Sequence, residues 1–270
     1  MTSVLLKVEG AGNDFLLGVG EWAERIATDP ELVRRLCRRH RGIGADGALA
    51  MRRLAIDRVE LVYRNADGGE ATFCANGTRC AARVAVDRLG CRPSLRLLTG
   101  AGEIPAVVHG DRVTLRLPPP GDSPRDLALG AERTTWRGSL LVVGVPHLVV
   151  PVADLADLDV DRVGRQLRGH PDLGAAGANV TFVASAALDA GADIALRTFE
   201  RGVEAETLCC GTGVAAAAVV EMARTGSGSV SCRVASGDRL EVRALGAPPG
   251  SSLELTGPAA IVAEVIPLER

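Results

Sequence analysis

EATFCANG, residues 70–77, is matched half a molecule later by ETLCCGTG, residues 206–213, in this chain of 270 residues. In both stretches a glutamate lies four residues before a cysteine, Cys74 or Cys210, and a glycine lies three residues after it. An Ala/Val-rich segment follows each stretch and ends at a second glycine, Gly90 or Gly226. The duplication predicts two similar halves that each present one cysteine.

Each of these cysteines directly precedes a predicted helix of small apolar residues. Residues 214–220 are apolar almost all round, which indicates a buried helix. The start of a helix carries unpaired N–H groups and the positive end of the dipole. We therefore expect a lowered pKa for both thiols, and a place suited to a carboxylate beside them.

A thiolate on one side of a carbon and a thiol on the other can invert a stereocentre. The thiolate removes a proton from one face and the thiol delivers a proton to the opposite face. The alternative is that cysteine is simply a small core residue, and for a single cysteine that reading would prevail. The vicinal pair Cys209-Cys210 also allows a redox pair, but the glycine spacing favours Cys210 as the working thiol and Cys209 as core.

Composition excludes several classes of function. Lys7 is the single lysine and lies in an apolar run, so a pyridoxal phosphate Schiff base is disfavoured and no cofactor is expected. A net charge of −2 without a basic stripe argues against nucleic acid. We find no zinc spacing, no signal peptide and no membrane-spanning segment. Seven cysteines without a secretion signal predict a cytoplasmic protein.

The remaining segments predict an α+β fold that is rich in strands. Segments that alternate or contain many β-branched residues predict strands at 58–63, 112–117, 139–143, 193–199 and 239–242. Helices are expected from Pro30 to about Gly42 and from about 161 to 168. The segment PPPG, residues 118–121, reads as a linker. We predict two pseudo-symmetric halves, each a barrel-like curved sheet around a buried helix: residues 1–118, completed by 260–270, and residues 119–259.

Several polar segments suit either turns or an amino-acid site. GND at 12–14, NADG at 65–68 and GAN at 177–179 all have turn composition. Glu200-Arg201 is either a solvated pair or a grip on an α-amino acid, since arginine binds carboxylates in a fork. His147, after Pro146, is either exposed in a turn or a partner that tunes a thiol.

These motifs together resemble the diaminopimelate epimerase family over nearly the whole chain. The matching stretches are KVEGAGNDF (7–15), GIGADG (42–47), NADG (65–68), CANGTRC (74–80), GVPH (144–147), GANV (177–180), ERG (200–202), CGTG (210–213) and TGPA (256–259). The resemblance implies a cofactor-independent epimerase that interconverts LL- and meso-diaminopimelate in lysine and peptidoglycan synthesis. It also implies two similar halves, each with a barrel-like sheet around a central helix.

By position, the resemblance assigns Cys74 and Cys210 as the acid/base thiols, with His147 and Glu200 close to them. It implies that the reacting carboxylate is held by backbone N–H groups of Ala75, Asn76, Gly211 and Thr212. The far end of the amino acid would be held by Asn13, Asn65, Asn179 and Arg201, with Glu200 near the ammonium. The partner implied is a small amino-acid substrate, and a homodimer is the candidate assembly.

Departures from the family pattern concern the substrate more than the reaction. Val145 stands where an asparagine is usual, and losing one hydrogen bond to a charged group costs about 1.5–3 kcal/mol. Ala75 replaces a glycine, and Gly47 stands where some members have glutamine. The alternatives are a racemase of the same fold acting on another amino acid such as histidine, an isomerase that works without two thiols, and a non-catalytic amino-acid-binding protein.

Overall fold

A computed structural model gives the fold and describes residues 3–131, 134–186, 191–247 and 250–268. The described residues form eighteen strands, five α-helices and one short 3-10 helix, so the fold is α+β, as predicted. The chain divides into two compact units, with residues 1–115 and 257–270 in unit 1 and residues 116–256 in unit 2. Residues 1, 2, 269 and 270 of the predicted first half lie outside the described residues.

Unit 1 contains a sheet and three helices. Its helices are α1 (Glu21–Thr28), α2 (Pro30–Cys37) and α3 (Ala75–Leu89). Its strands are β1 (Val4–Gly10), β2 (Asn13–Val19), β3 (Gly47–Ala55), β4 (Arg58–Asn65), β5 (Glu70–Ala71), β6 (Ser94–Thr99), β7 (Gly102–His109) and β8 (Arg112–Leu117), together with the last strand of the chain, β18 (Ala260–Val265).

Unit 2 repeats this plan with its own helices, α4 (Val160–Arg168) and α5 (Gly211–Thr225), and a 3-10 helix at Pro171–Leu173. Its strands are β9 (Arg125–Ala131), β10 (Thr134–Val143), β11 (Val145–Pro151), β12 (Asn179–Ser185), β13 (Ile194–Glu200), β14 (Ala205–Thr207), β15 (Ser229–Arg233), β16 (Arg239–Ala244) and β17 (Leu253–Pro258).

The strand pairings of the two units follow one scheme. In unit 1 the order is β18-β1-β2-β3-β4-β6-β7-β8, with β5 also on β4, and the β2–β3 and β4–β6 pairs are parallel. In unit 2 it is β9-β10-β11-β12-β13-β15-β16-β17, with β14 also on β13, and β11–β12 and β13–β15 are parallel. The two units therefore have the same strand topology.

One buried helix forms the centre of each unit. Helix α3 packs against β1, β2, β3, β4, β6, β7 and β18, and α5 packs against β10, β11, β12, β13, β15 and β16. A sheet whose strands nearly all contact one helix must curve around it, as predicted. The small residues of α5, including Ala215–Ala218, are at most 1% exposed, so sheet and helix approach closely.

The register gives equivalent positions in the two units. Phe15 of β2 lies opposite Gly47 of β3, and His147 of β11 lies opposite Asn179 of β12. Phe15 therefore corresponds to His147, and Gly47 to Asn179. Likewise, Tyr63 pairs with Ala71 and Thr198 with Thr207, each partner lying three residues before its cysteine. Tyr63 therefore corresponds to Thr198.

Two helix predictions need correction. Helix α1 was not predicted, because its N-cap is Gly20 at φ 66° without a side-chain cap, and the usual capping residues are therefore absent. Helix α2 ends at Cys37 and not near Gly42, because Arg38 turns to extended backbone. A Cβ at Gly42 would lie 2.1 Å from the Arg35 carbonyl oxygen, so the turn folds back tightly against the helix end.

Candidate active site

Cys74 caps the N-terminus of α3, as the sequence pattern predicts. Its backbone is extended, with φ −141° and ψ 114°, and its Sγ accepts the Gly77 N–H at 3.5 Å. The N–H and hydroxyl of Thr78 both donate to the Cys74 carbonyl oxygen at 2.8 Å. The helix ends at Gly90 in the left-handed conformation, which glycine adopts most readily. The repeated Cys-x-x-Gly spacing is therefore a cap geometry.

Two asparagines lie beside the Cys74 thiol. Asn13 Oδ1 accepts a hydrogen bond from Asn76 Nδ2 at 3.1 Å and lies 3.8 Å from the donating Cys74 Sγ. Asn13 Nδ2 donates to Asp46 Oδ2 at 2.7 Å. Unit 1 thus brings together three of the residues that the resemblance assigns to the site.

The other two assigned residues of unit 1 lie on neighbouring elements. Ala75 is the first residue of α3 and is buried, so its N–H is one of those without a partner inside the helix. Asn65 is exposed at the end of β4, and its backbone N–H donates to Gly69. It lies opposite Gly47 in the β3–β4 register.

Lys7 is part of an ion-pair cluster. Its Nζ lies 2.5 Å from Asp14 Oδ2 and also donates to the Gly44 carbonyl. Burial alone raises the pKa of Asp14, but hydrogen bonds from Lys7 and Arg39 outweigh it and hold that pKa below its usual value. The single lysine therefore has a structural ion-pair role.

Cys210 is likewise the N-cap residue of α5, but its side chain makes no capping hydrogen bond of the kind that Cys74 makes. Its backbone is extended, with φ −107° and ψ 106°, and the Val214 N–H donates to its carbonyl oxygen at 2.9 Å. Its Sγ lies 3.6 Å from the Thr212 hydroxyl. Unlike Cys74, which is half-buried, Cys210 is only 6% exposed. Gly211 and Thr212 supply the first N–H groups of the helix.

The expectation of a lowered pKa is wrong for Cys210. Burial raises the pKa of this thiol well above its usual value, and the negative charge of Glu200 raises it further. The nearby Thr212 hydroxyl and Gly213 N–H act in the opposite direction and lower it, but they do not prevail. The helix start supplies donors as expected, yet desolvation of a thiolate costs more than they return.

Glu200 and Arg201 are half-buried at the end of β13, beside Asn179, which is buried at the start of β12. Glu200 Oε2 accepts the Thr207 hydroxyl at 3.0 Å, and Asn179 Oδ1 accepts the Arg201 N–H at 2.8 Å. The Arg201 guanidinium donates to the Ala176 carbonyl at 3.3 Å. Within the part of the chain that the structure describes, it has no carboxylate partner. Glu200 and Arg201 thus bond to separate groups, and the grip on an α-amino acid stays a prediction.

His147 lies inside β11 and is fully buried, so the alternative of an exposed turn histidine is wrong. Neither ring nitrogen has a hydrogen-bond partner among the described residues. Burial lowers the pKa of His147 to about 3, and the positive charge of Arg201 adds to this. The imidazole is therefore neutral and has a donor and an acceptor to offer.

A buried pair of hydroxyl groups beneath α5 was not predicted. Thr181 and Thr198 are at most 1% exposed, and their hydroxyl oxygens lie 3.2 Å apart. A Cβ at Gly213 would lie 2.9 Å from Thr181 Oγ1 and 3.4 Å from Thr198 Oγ1. Threonine is common in strands, so only the strand register, paired with the helix position, could have indicated this pair.

The other cysteines belong to the core. Cys209 is 4% exposed, in keeping with its predicted core role. No disulfide joins cysteines in the described part of the chain. Cys74 and Cys210 are therefore set apart from the rest by their N-cap positions.

The described residues contain no group of three or more His, Cys, Asp or Glu side chains that could hold a metal ion. None of the helices in this part of the chain is long and apolar enough to cross a membrane.

Solved structures with the same two-unit fold include amino-acid isomerases. A hydroxyproline epimerase from Agrobacterium vitis, with bound trans-4-OH-L-proline, has a TM-score of 0.68 and 19% identity, with 97% of this chain and 90% of that chain covered. A PhzF-family phenazine biosynthesis protein from Bacillus anthracis has a TM-score of 0.74 and 16% identity, with both chains fully covered. These likenesses define the fold class and confirm the prediction of two similar α+β halves.

Sequence relatives identify the family within that class. The family model for diaminopimelate epimerase matches residues 5–117 and 139–261. A diaminopimelate epimerase of Gemmatimonas aurantiaca is 36% identical over 92% of this chain and 91% of its own length. One from Chlorobaculum tepidum is 37% identical over 87% of this chain and 90% of its own. The chain belongs to the diaminopimelate epimerase family.

Proposed function

We propose that this chain interconverts LL- and meso-diaminopimelate by proton transfer at the α-carbon, as a step of lysine and peptidoglycan precursor synthesis. It is an isomerase that needs no pyridoxal phosphate, in keeping with its family. The observation that carries the proposal is the matched pair of N-cap cysteines, Cys74 on α3 and Cys210 on α5, in a chain of this family.

The chemistry needs one thiolate and one thiol. The thiolate takes the α-proton, the electron pair remains on the α-carbon next to the carboxylate, and the thiol gives its proton to the opposite face. Inversion leaves the two sulfurs with exchanged protonation states, so the reverse reaction starts from that form. Backbone N–H groups of Ala75, Asn76, Gly211 and Thr212 would hold the carboxylate on which negative charge develops.

The raised pKa of Cys210 supports a role as the thiol that starts protonated. Burial and Glu200 both disfavour its thiolate. We assign Glu200 and His147 as residues that tune the thiols, since Glu200 acts on Cys210 through its charge. His147 is neutral and buried, so it can act through a hydrogen bond without adding charge.

Selectivity for diaminopimelate rests on polar groups at the far end of the substrate. Arg201, Asn179, Asn13 and Asn65 would bind the distal amino-acid group, with Glu200 near the ammonium. The Arg201 guanidinium donates to a backbone carbonyl and has no carboxylate partner among the described residues, which suits a substrate carboxylate. A site that pairs such groups rejects analogues that leave them unpaired.

A panel of amino acids tests this proposal. LL- and meso-diaminopimelate should interconvert without added cofactor, whereas lysine, which lacks the distal carboxylate, should be a very poor substrate. Loss of optical activity is the readout. Equal turnover of histidine or lysine would overturn the substrate assignment and favour a racemase in which Val145, in place of a donor, admits a different side chain.

We also infer a cytoplasmic enzyme with a small-molecule substrate, and a homodimer as the candidate assembly. Seven cysteines, all of them free thiols, support the compartment. Light scattering on the purified protein, at several concentrations, tests the dimer: a monomer mass throughout would contradict it.

A further inference from the structure

Arg79 is a fully buried cation in α3 with no role in the assignments above. Its exposed fraction is 0%. Its Nη2 donates to Asn76 Oδ1 at 2.9 Å and its Nε donates to the Pro258 carbonyl at 3.3 Å, whereas Nη1 has no partner among the described residues. No carboxylate in the described part of the chain pairs with it. Burying such a charge is costly, so the groups that Arg79 bonds to must offset that cost.

Arg79 begins a continuous chain of hydrogen bonds. Arg79 donates to Asn76 Oδ1 at 2.9 Å, Asn76 Nδ2 donates to Asn13 Oδ1 at 3.1 Å, and Asn13 Nδ2 donates to Asp46 Oδ2 at 2.7 Å. Arginine can only donate, and an ionised aspartate can only accept. The direction of every bond between these two ends is therefore fixed, and neither asparagine can turn its amide without losing a bond.

This direction decides what Cys74 meets. The Asn13 amide oxygen lies 3.8 Å from Cys74 Sγ, while the Asn13 NH₂ group is committed to Asp46. The protonated thiol thus donates to Asn13, and the sulfur accepts the Gly77 N–H at 3.5 Å. An amide that turned around would instead offer the thiolate an additional donor.

We propose that Arg79 and Asp46 are positioning residues that hold the Asn13 amide oxygen, and not its NH₂ group, toward Cys74. The inference rests on the proposed function, because it matters only if Cys74 gains and loses a proton in each turnover. The fixed Asn13 amide oxygen favours the protonated form of Cys74, which is the form that exists after Cys74 has removed the α-proton. The Gly77 N–H stabilises the thiolate form.

Unit 2 has no counterpart of this chain. By the strand register and the helix caps, the positions of Asn13, Asp46, Asn76 and Arg79 correspond to Val145, Ala178, Thr212 and Ala215. Valine and alanine side chains form no hydrogen bonds, so no such chain can form beside Cys210. The device is specific to Cys74.

A double-mutant cycle separates orientation from charge. In a Cys210→Ser background, iodoacetamide alkylation of Cys74 is followed against pH by mass spectrometry of its peptide. Asp46→Asn and Arg79→Gln each replace one end of the chain with an amide that can donate or accept. Each single variant leaves the other end fixed, so it should shift alkylation only through its lost charge, and the two shifts should have opposite signs.

The double variant frees both ends, while its two charge changes offset each other. We measure the rate of Cys74 alkylation at pH values below the midpoint of its pH profile. We expect this rate in the double variant to be about tenfold higher than the product of the two single-variant changes predicts, because the thiolate gains an amide donor. The matched control is Asp46→Asn with Arg79→Lys, since lysine still only donates; its effects should be additive. Additive effects in Asp46→Asn/Arg79→Gln would overturn the inference.

Two further arms keep the test decisive. Thermal unfolding checks whether Arg79→Gln is folded. If it is not, the double variant Asp46→Asn/Asn76→Ala breaks the same chain of hydrogen bonds in its middle and should show the same excess rate of Cys74 alkylation. Alkylation needs no substrate, so it reports on this inference even if diaminopimelate is not turned over. Epimerisation is assayed separately in the protein that keeps Cys210. Normal epimerisation there, with additive alkylation effects, would overturn the inference alone, whereas excess alkylation with no epimerisation by the Cys210 protein would overturn the proposed function alone.

Discussion

The two central helices begin alike but rest on different surfaces. Beneath the start of α3 lie Phe15 and Leu49, both fully buried, with Phe15 against Tyr63 at 5.8 Å between ring centroids. At the equivalent positions beneath α5 lie His147, Thr181 and Thr198. The helix turn that begins at Cys74 therefore packs on apolar side chains, whereas the turn that begins at Cys210 packs on polar ones.

Duplication has kept the cap and changed its surroundings. The extended backbone at the N-cap cysteine and the left-handed glycine at the far end recur in both helices. The polar partners differ: Cys74 faces Asn13, while Cys210 lies near the charge of Glu200. Equivalent backbones thus hold two chemically distinct thiols, as a reaction with one acid and one base requires.

The largest expected effect comes from removing either thiol. Cys74→Ala and Cys210→Ala should each lower kcat for diaminopimelate epimerisation about 10²–10⁴-fold, since each removes a positioned acid/base group. Steady-state kinetics measures it. Cys209→Ala is the matched control, because it removes a neighbouring buried thiol outside the cap, and it should retain activity. An inactive Cys209→Ala beside a near-normal Cys210→Ala would show that the second half is misassigned.

Giving unit 2 the residue of unit 1 tests the buried histidine. The pKa of His147 is lowered to about 3 in the folded protein, against about 6.5 in an unfolded chain. The unfolded chain therefore takes up the proton more readily than the folded protein. As a result, the free energy of unfolding is unaffected by His147 above pH 6.5 and falls as the pH is lowered from 6.5 toward 3. The decline approaches about 1.4 kcal/mol per pH unit.

His147→Phe should flatten that decline between pH 6.5 and 4, because phenylalanine cannot take up the proton. Urea unfolding at several pH values measures the slope, and His109→Gln, at an exposed histidine, is the control that should leave the slope unchanged. Parallel curves for wild type and His147→Phe would contradict the buried neutral state. Epimerase activity should fall in His147→Phe if the imidazole tunes a thiol.

A smaller effect should separate the two helix starts by packing. A Cβ at Gly213 would lie 2.9 Å from the Thr181 hydroxyl and 3.3 Å from the Cys210 Cβ, whereas at Gly77 the nearest atom, at 3.1 Å, is the tip of the Leu49 side chain. Alanine gains about 1 kcal/mol of helix propensity over glycine at either position. We expect Gly77→Ala to be near neutral and Gly213→Ala to lose about 1–3 kcal/mol of unfolding free energy. Equal losses in urea unfolding would remove this contrast.

Local sequence patterns predicted four of the five described α-helices but only five of the eighteen described strands. The cysteine–glycine repeat predicted both central helices, and the β-branched segments predicted β4, β8, the second half of β10, β13 and β16, because these features depend on neighbouring residues. Asp29-Pro30 predicted the start of α2, where the Leu32 N–H donates to Asp29 at 2.9 Å. Helix α1 lacked a capping side chain, so its start left no signal.

The electrostatics of the site could not be read from the sequence. Whether a helix start lowers a thiol pKa depends on burial, and burial reverses the expectation at Cys210. The Thr181–Thr198 pair and the bonds of Arg79 join strands and helices that are distant in sequence. Such contacts follow from register and packing, which a single sequence does not specify.

The central claim is that two different sulfurs handle the proton, and isotope exchange tests it most directly. LL-Diaminopimelate is incubated with the enzyme in heavy water, and product and remaining substrate are analysed by mass spectrometry early in the reaction. We expect meso product that carries deuterium at the inverted carbon, while unreacted LL substrate retains protium, because the donor thiol has exchanged with solvent before substrate binds. Early product that retains the substrate's own protium would mean that one group both removes and returns the proton, and it would contradict the two-thiol account.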